Sequence, residues 1–449
     1  MLKRDDWVAD TGCIGSSAVG CEGISQATIR LARETRQLPK FGVASMQFDS
    51  TYHPPRGWLH AGKYLLPIGA RTTDWLPRAA PRAQVPIAEL AVDHPASVRY
   101  LSLDDGETVS EFAFPCHADG KCETRSLPEQ DFPSAFVAEI DAGMVFGRQC
   151  SVIGPARKAV RETGFYLDGA VQTSKVPVSR LRLRYWRKRW TSDVTARLWL
   201  PPAQRVAGRV AVLNARYSHN YFHWLIEILP RLAPLRRAGL VADYYLVDCL
   251  SAFQKSVLGA LGIHERQLIQ PHGKLLLAAD EVIVPSFPSP SCLREFASRL
   301  LSGLGADGPV TRLRRIFISR RKTGTRTLAD EAAVERLLHA YGFETHFMED
   351  YPLARQARLV HEAELVVATH GAGLANLIFA RPGTQVIELV PAERFNYACY
   401  PKRTRFFQLD HQIVFARCPG RRQVLQVALP DVSAALERAE EAINQRAAA

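Results

Sequence analysis

The sequence predicts an α/β protein with two parallel-sheet units in series, preceded by a β-rich or irregular stretch. Three observations carry that prediction. From about residue 208, short apolar runs of strand length alternate with longer segments of helical period, a pattern that calls for parallel sheets covered on both faces. The alternation is interrupted by the glycine-rich residues 303–309, which read as a boundary between units. Before residue 200 the texture is different: six of the seven tryptophans lie there, with many prolines and short apolar runs broken by turn residues.

In order, residues 209–214 (RVAVLN) have a buried-strand pattern, and 219–229 is a helix that continues past Pro230 towards Gly239. A strand at 244–247, a helix at 253–261 and a strand at 281–284 follow. The cluster PSFPSP (285–290) punctuates the chain before a helix around 293–304. The second unit opens with a strand at 315–319 (RIFIS). Residues 330–341 form an amphipathic helix, with Val334, Leu337, Leu338 and Tyr341 on one face and Gly342 placed as a left-handed cap. A strand at 343–347, a helix at 353–362, a strand at 365–369, a helix at 372–379 and a strand at 385–390 complete the unit, and 432–446 is a last helix. The expected division is a β-rich or irregular region at 1–204, Rossmann-like units at 205–308 and 309–427 facing a cleft, and a C-terminal helix at 428–449.

Composition narrows the function classes. With 47% hydrophobic and 23% charged residues over 449 positions, the chain is neither a disordered tail, a collagen-like repeat nor a disulfide miniprotein. No stretch approaches the ~20 apolar residues of a membrane-spanning helix. The start, MLKRDDWVADTG, lacks the apolar core of a secretory signal, so the expected location is the cytoplasm. The nine cysteines are odd in number, with no CxxC pair, and read as free thiols. Cys116-His117 with Cys122 is the nearest approach to a metal cluster, and it has no second half.

The formal charge of +12 suits a polyanionic partner or a phosphorylated metabolite. Its densest run is RLRLRYWRKRW (180–190), where Arg180, Arg182 and Arg184 share one strand face. A solvated arginine face is the plainer reading, with peripheral contact to an anionic membrane surface as the alternative. No nucleic-acid motif accompanies the run, and no nucleic-acid partner is expected.

The chemistry concentrates in three places. Residues 369–376 (THGAGLAN) follow a predicted strand and open a helix, where free N–H groups and close backbone approach suit a phosphate or diphosphate. His370, Gly371, Ala372, Gly373 and Asn376 belong to this loop and the helix it opens. Arg320, Arg321, Lys322 and Arg326 follow the RIFIS strand at its carboxyl end, placed to neutralise a diphosphate. Glu388, late in the QVIEL strand, is a candidate for ribose hydroxyls, or else a core-edge carboxylate with a local partner. In the first unit, His223 and Glu227 share one helix face at i,i+4, an arrangement in which the carboxylate holds the imidazole ring. Either could take a proton from an acceptor hydroxyl, with His223 preferred, and Asn220 is a candidate positioning residue.

The segments HGAGLANLIFARPGTQVIEL (370–389), ISRRKTGTRTLADEAAVERLL (318–338) and HNYFHWLIEILPRL (219–232) together resemble glycosyltransferase family 61. The family includes bacterial capsular and surface polysaccharide glycosyltransferases, plant xylosyl- and arabinosyltransferases and protein O-GlcNAc transferases. The resemblance covers roughly residues 205–415 and departs at Asp330, where many members carry asparagine. It implies the GT-B architecture and inverting transfer from a nucleoside-diphosphate sugar to a glycan hydroxyl, as in capsular or surface polysaccharide synthesis. In that scheme His223, Glu227 and Asn220 serve the acceptor, and the basic and HGAG residues with Glu388 hold the donor. No cofactor or metal is required, although a divalent metal is compatible. A non-catalytic nucleotide-sugar or polyanion binder is the alternative. An α/β-hydrolase reading of the HGAG loop fails because the chain has no GxSxG nucleophile elbow.

Overall fold

The computed structural model describes residues 84–163, 202–392, 398–418 and 423–448, with the short strands at 71–72, 78–79 and 199–200. The 180–190 basic run, Cys13 and Cys21 lie outside the described residues. Strands are labelled in chain order. β1 (Val98–Ser102), β2 (Phe112–Ala118), β3 (Lys121–Leu127), β4 (Phe136–Asp141), β5 (Met144–Phe146) and β6 (Ser151–Ile153) precede the first alternating unit. That unit holds β7 (Gln204–Val212), β8 (Tyr244–Leu246), β9 (Leu268–Ile269) and β10 (Leu276–Pro285). The second holds β11 (Arg314–Ile318), β12 (Phe343–His346), β13 (Ala363–Thr369), β14 (Gln385–Pro391) and β15 (Asp410–Ala416).

Each unit is built on parallel strands. The first runs in the order β9-β8-β7-β10, all parallel. Alternate side chains feed both faces: Val210 and Val212 join one core, Ala211 and Leu213 the other, as a strand covered on both sides requires. The second runs β12-β11-β13-β14-β15, again all parallel. Its helices are Glu331–Ala340, Leu353–His361 and Leu429–Ala448, with a 3-10 segment at Ala372–Phe379.

Most described strands before residue 164 extend the two parallel sheets, while Glu107–Val109 and Gln130–Phe132 pair with each other. β4 and β5 pair in turn along the outer edge of β10, with β1 on β4 and β6 on β5. β2 instead runs parallel to β15 in the second sheet, with β3 beside it. The physical reason is edge protection: β10 and β15 are long apolar strands whose free edges would expose unpaired N–H and C=O groups.

The predicted helix at 219–239 is broken into four pieces: α-helical Tyr221–His223, π-helical Trp224–Ile228, 3-10 Leu229–Arg231 and α-helical Leu232–Arg237. Pro230 has no N–H to give and its ring crowds the preceding turn. The turn before it widens, and the Leu229 N–H bonds the carbonyl of Trp224. This segment packs on the 3-10 helix of the second unit, and Leu225, Ile226, Leu374 and Ile378 belong to one continuous core. Among the described residues, no helix is long and apolar enough to cross a membrane.

Candidate functional site

Open parallel sheets bind ligands where the chain reverses its direction of strand addition, outside the carboxyl ends of two neighbouring strands. In the second unit that point lies between β11 and β13, since β12 is added on one side of β11 and β13 on the other. Arg320 leaves the end of β11, and His370-Gly371 the end of β13. The two meet: a methyl group on Gly371 would overlap the Arg320 guanidinium, coming within 2.7 Å of Cζ. Gly371 is extended, at φ 174°, so glycine is required here for space, not for a left-handed backbone. Arg320 is steadied by Thr325, whose carbonyl accepts from Nε at 3.2 Å and whose hydroxyl accepts from Nη2 at 3.3 Å. Tyr400 closes the floor by donating its phenol to the Gly371 carbonyl at 2.5 Å. Burial pushes that phenol far up, as does the nearby Glu388 carboxylate, against Arg326 and Arg320.

Beneath the loop lies a buried carboxylate shared by two histidines. His370 Nδ1 meets Glu388 Oε1 at 2.5 Å, and His411 Nε2 meets Oε2 at 3.1 Å. Burial opposes charge on Glu388, but the charge and hydrogen bond of His370, with those of His411, hold its carboxyl below the ordinary range. The carboxylate therefore fixes Nδ1 of His370 as its donor and leaves Nε2 as the other polar position of the ring. Glu388 has 0% exposure and both oxygens engaged by histidines, the geometry of the local-partner alternative rather than of a ribose contact: it reaches the loop through His370.

The first unit supplies the second half. Asn220 starts the helix by accepting the Phe222 N–H at 2.9 Å, so the candidate positioning residue is an N-cap. His223 Nδ1 lies 2.7 Å from Glu227 Oε2, and Arg403 Nη2 approaches Oε1 at 3.5 Å. Burial raises the Glu227 carboxyl, yet the hydrogen bond and charge of His223, with the charge of Arg403, leave it lowered. A line of ring contacts joins the halves: His370 to Tyr400 at 5.4 Å, Tyr400 to Phe222 at 5.5 Å, Phe222 to His223 at 5.2 Å.

Not every predicted residue meets this loop or the His223–Glu227 pair. Asn376 has 0% exposure; it accepts from the Tyr221 phenol at 2.6 Å and donates to Gln356 at 2.8 Å. It is a tie between units, a correction to its expected contact with ligand. Lys322 is exposed and paired with Asp350, and Arg321 is held by Glu335 at 2.6 Å and Glu331 at 3.3 Å, so both face the helices beside the loop. Arg326 sits in the left-handed region at φ 53°, close enough to influence Tyr400. Gly373 carries a tight packing contact, 3.3 Å from a Cβ to Ile318 Cγ2. Ala372 opens the 3-10 segment.

Sequence reasoning missed Tyr400, Arg403 and His411. They lie 23 to 176 residues from their partners in the chain, so local spacing carries no signal for them. Among the described residues, no group of three His, Cys, Asp or Glu side chains is gathered to hold a metal ion, and the described cysteines are free thiols.

The second parallel-sheet unit carries a basic glycine loop at its switch point, and the first carries the histidine–carboxylate pair. Residues 221–387 match the family model for glycosyltransferase 61, from the start of the His223 helix into β14. The family implies a sugar donor and an acceptor. No curated protein matches the chain.

Proposed function

We propose that the protein is an inverting glycosyltransferase of GT-B organisation that moves a sugar from a nucleoside-diphosphate sugar to a hydroxyl of a glycan acceptor. Bacterial capsular or surface polysaccharide is the product class. The observation that carries this reading is the approach of Arg320 to Gly371 at the second switch point, one short line of rings away from His223. The diphosphate lies against Arg320, Arg326, the 371–373 backbone and the Nε2 side of His370, while Glu388 and His411 keep His370 in place. The acceptor oxygen attacks the anomeric carbon as its proton passes to Nε2 of His223. The bond from that carbon to the diphosphate oxygen breaks, and the diphosphate leaves with the electron pair.

Glu227 accepts Nδ1–H of His223, so His223 presents Nε2 as the base and Glu227 orients it. The charge of the leaving group is met by arginines and loop N–H groups, and the reading requires no resident metal. It places the enzyme in the cytoplasm, with peripheral contact to an anionic membrane face through the 180–190 run.

The test is thermal stability against a panel of nucleoside diphosphates and nucleotide sugars, followed by a transfer assay, each with and without chelator. A ligand at about 100 times its Kd adds about 2.7 kcal/mol. A selective shift from one nucleotide, lost in Arg320→Met, supports the donor site. No shift from any nucleotide, and no hydrolysis or transfer of any donor, would overturn the reading.

A further inference from the structure

Tyr217 precedes the His223 helix, and its backbone lies in the left-handed region at φ 70°. For a bulky aromatic residue this is strained, whereas glycine or asparagine adopts it readily. Its carbonyl accepts the Asn220 N–H at 2.8 Å and so closes the turn that starts the helix. Backbone preference alone would select another residue, so the ring itself is what the position keeps.

The Tyr217 ring lies 5.4 Å from the His223 ring, tilted by 43°, with the Arg216 guanidinium 4.6 Å over it. Phe222 meets the same imidazole edge-on at 5.2 Å, and Glu227 holds Nδ1. Two rings and one hydrogen bond therefore bound His223. We propose that Tyr217 is a positioning residue: the strained turn sets its ring against His223 and, with Glu227, fixes the direction in which Nε2 points. The inference rests on His223 being the base.

The strain makes the role separable from ordinary packing. Tyr217→Gly relieves the backbone while removing the ring, so its thermal midpoint is expected to equal or exceed that of the parent. Its kcat is expected to fall about a hundredfold, the scale of a misplaced catalytic group, while the donor KM changes less than about threefold. Tyr217→Phe, which keeps the ring, restores most of that turnover. Tyr217→Asn, also at ease in the left-handed region, reads the same quantity should the glycine variant fold poorly.

A Tyr217→Gly enzyme that keeps parental kcat overturns the proposal. So does a Tyr217→Phe enzyme as slow as the glycine variant. His223→Ala, measured alongside, separates the two failures. If it transfers at the parental rate, the assignment of the base falls; if it is inactive while Tyr217→Gly is not, only the positioning role does.

Discussion

The two parallel sheets reverse direction in the same way, yet their switch crevices are filled differently. In the second unit Arg320 and the 370–373 loop line the crevice between β11 and β13. In the first, the crevice between β7 and β10 is plugged by Arg231, which is 1% exposed. Its guanidinium donates to the carbonyls of Leu213, at 3.0 Å, and Pro285, at 2.6 Å, the ends of those two strands. Burial pulls this guanidinium down to about 10. The topology offers two switch-point crevices, and a buried side chain fills the first. Fold alone would not have said which.

A second contrast lies in the histidine–carboxylate pairs. His223 and Glu227 retain 14% and 28% side-chain exposure, against 7% and 0% for His370 and Glu388. On the proposed reading the more exposed first pair exchanges a proton with the acceptor, and the carboxylate of the second holds the His370 ring. His223→Ala is therefore expected to have the largest effect, a loss of transfer of about 10²–10⁴-fold, with nucleotide-induced stabilisation intact. Progress curves and melting shifts on one preparation check both halves. Retention of transfer would remove the distinction between the pairs.

The plug and the open crevice sharpen the comparison next. Arg231→Met leaves the Leu213 and Pro285 carbonyls buried without their donor, and stability should fall by about 3 kcal/mol or more. Arg320→Met, at a half-buried position, should change stability by less than about 1 kcal/mol while weakening nucleotide binding. Denaturant unfolding beside nucleotide titration measures both. Equal losses of stability would mean that Arg320 is structural too.

Gly371→Ala probes the same crevice more gently. The methyl group must displace the Arg320 guanidinium, the movable end of a flexible side chain. Folding should survive, and nucleotide affinity should fall about tenfold, roughly 1.4 kcal/mol. Calorimetric titration with the nucleotide that stabilises the parent reads it directly. Unchanged affinity would separate Arg320 from the ligand.

Most of this architecture was legible in the sequence because it is periodic. The 330–341 pattern appears as the helix Glu331–Ala340 with Gly342 at φ 79°, and RIFIS and QVIELV are strands. The His223–Glu227 pairing followed from i,i+4 spacing, and it survives the π-helical turn. What was not legible depends on pairing across the chain. Nothing in FAFPCHA (112–118) says that it will lie beside β15 rather than among its sequence neighbours. Glu388 and Asn376 were expected at the ligand because they belong to the loop and strand that build the crevice. Their burial depends on His411 and Tyr221, which only the folded chain brings to them. Arg231 falls inside the helix expected past Pro230, and its role needs the ends of two strands 72 residues apart.

The smallest effect expected is also the one that tests how the two pairs differ without any substrate. Glu388 is held below its ordinary 4.5 by two histidines, against the cost of its burial. A carboxyl depressed in the folded state contributes stability that is fully present above its unfolded value and is lost as pH falls through the folded one. The parent should therefore lose this contribution below pH 4.5, while Glu388→Gln, with no charge to lose, should not. Glu162 has the opposite sign, since burial raises its carboxyl, so the parent's acid limb alone is not diagnostic. The difference between parent and variant is: the gap in thermal midpoint should be widest above pH 4.5 and narrow as pH falls below it. Glu227→Gln should trace a shallower version of the same curve, because its carboxylate is partly solvated and its partner is one histidine with a distant arginine. A gap that stays constant with pH would mean that the buried carboxylate is already neutral, and that His370 is not held by a charge at all.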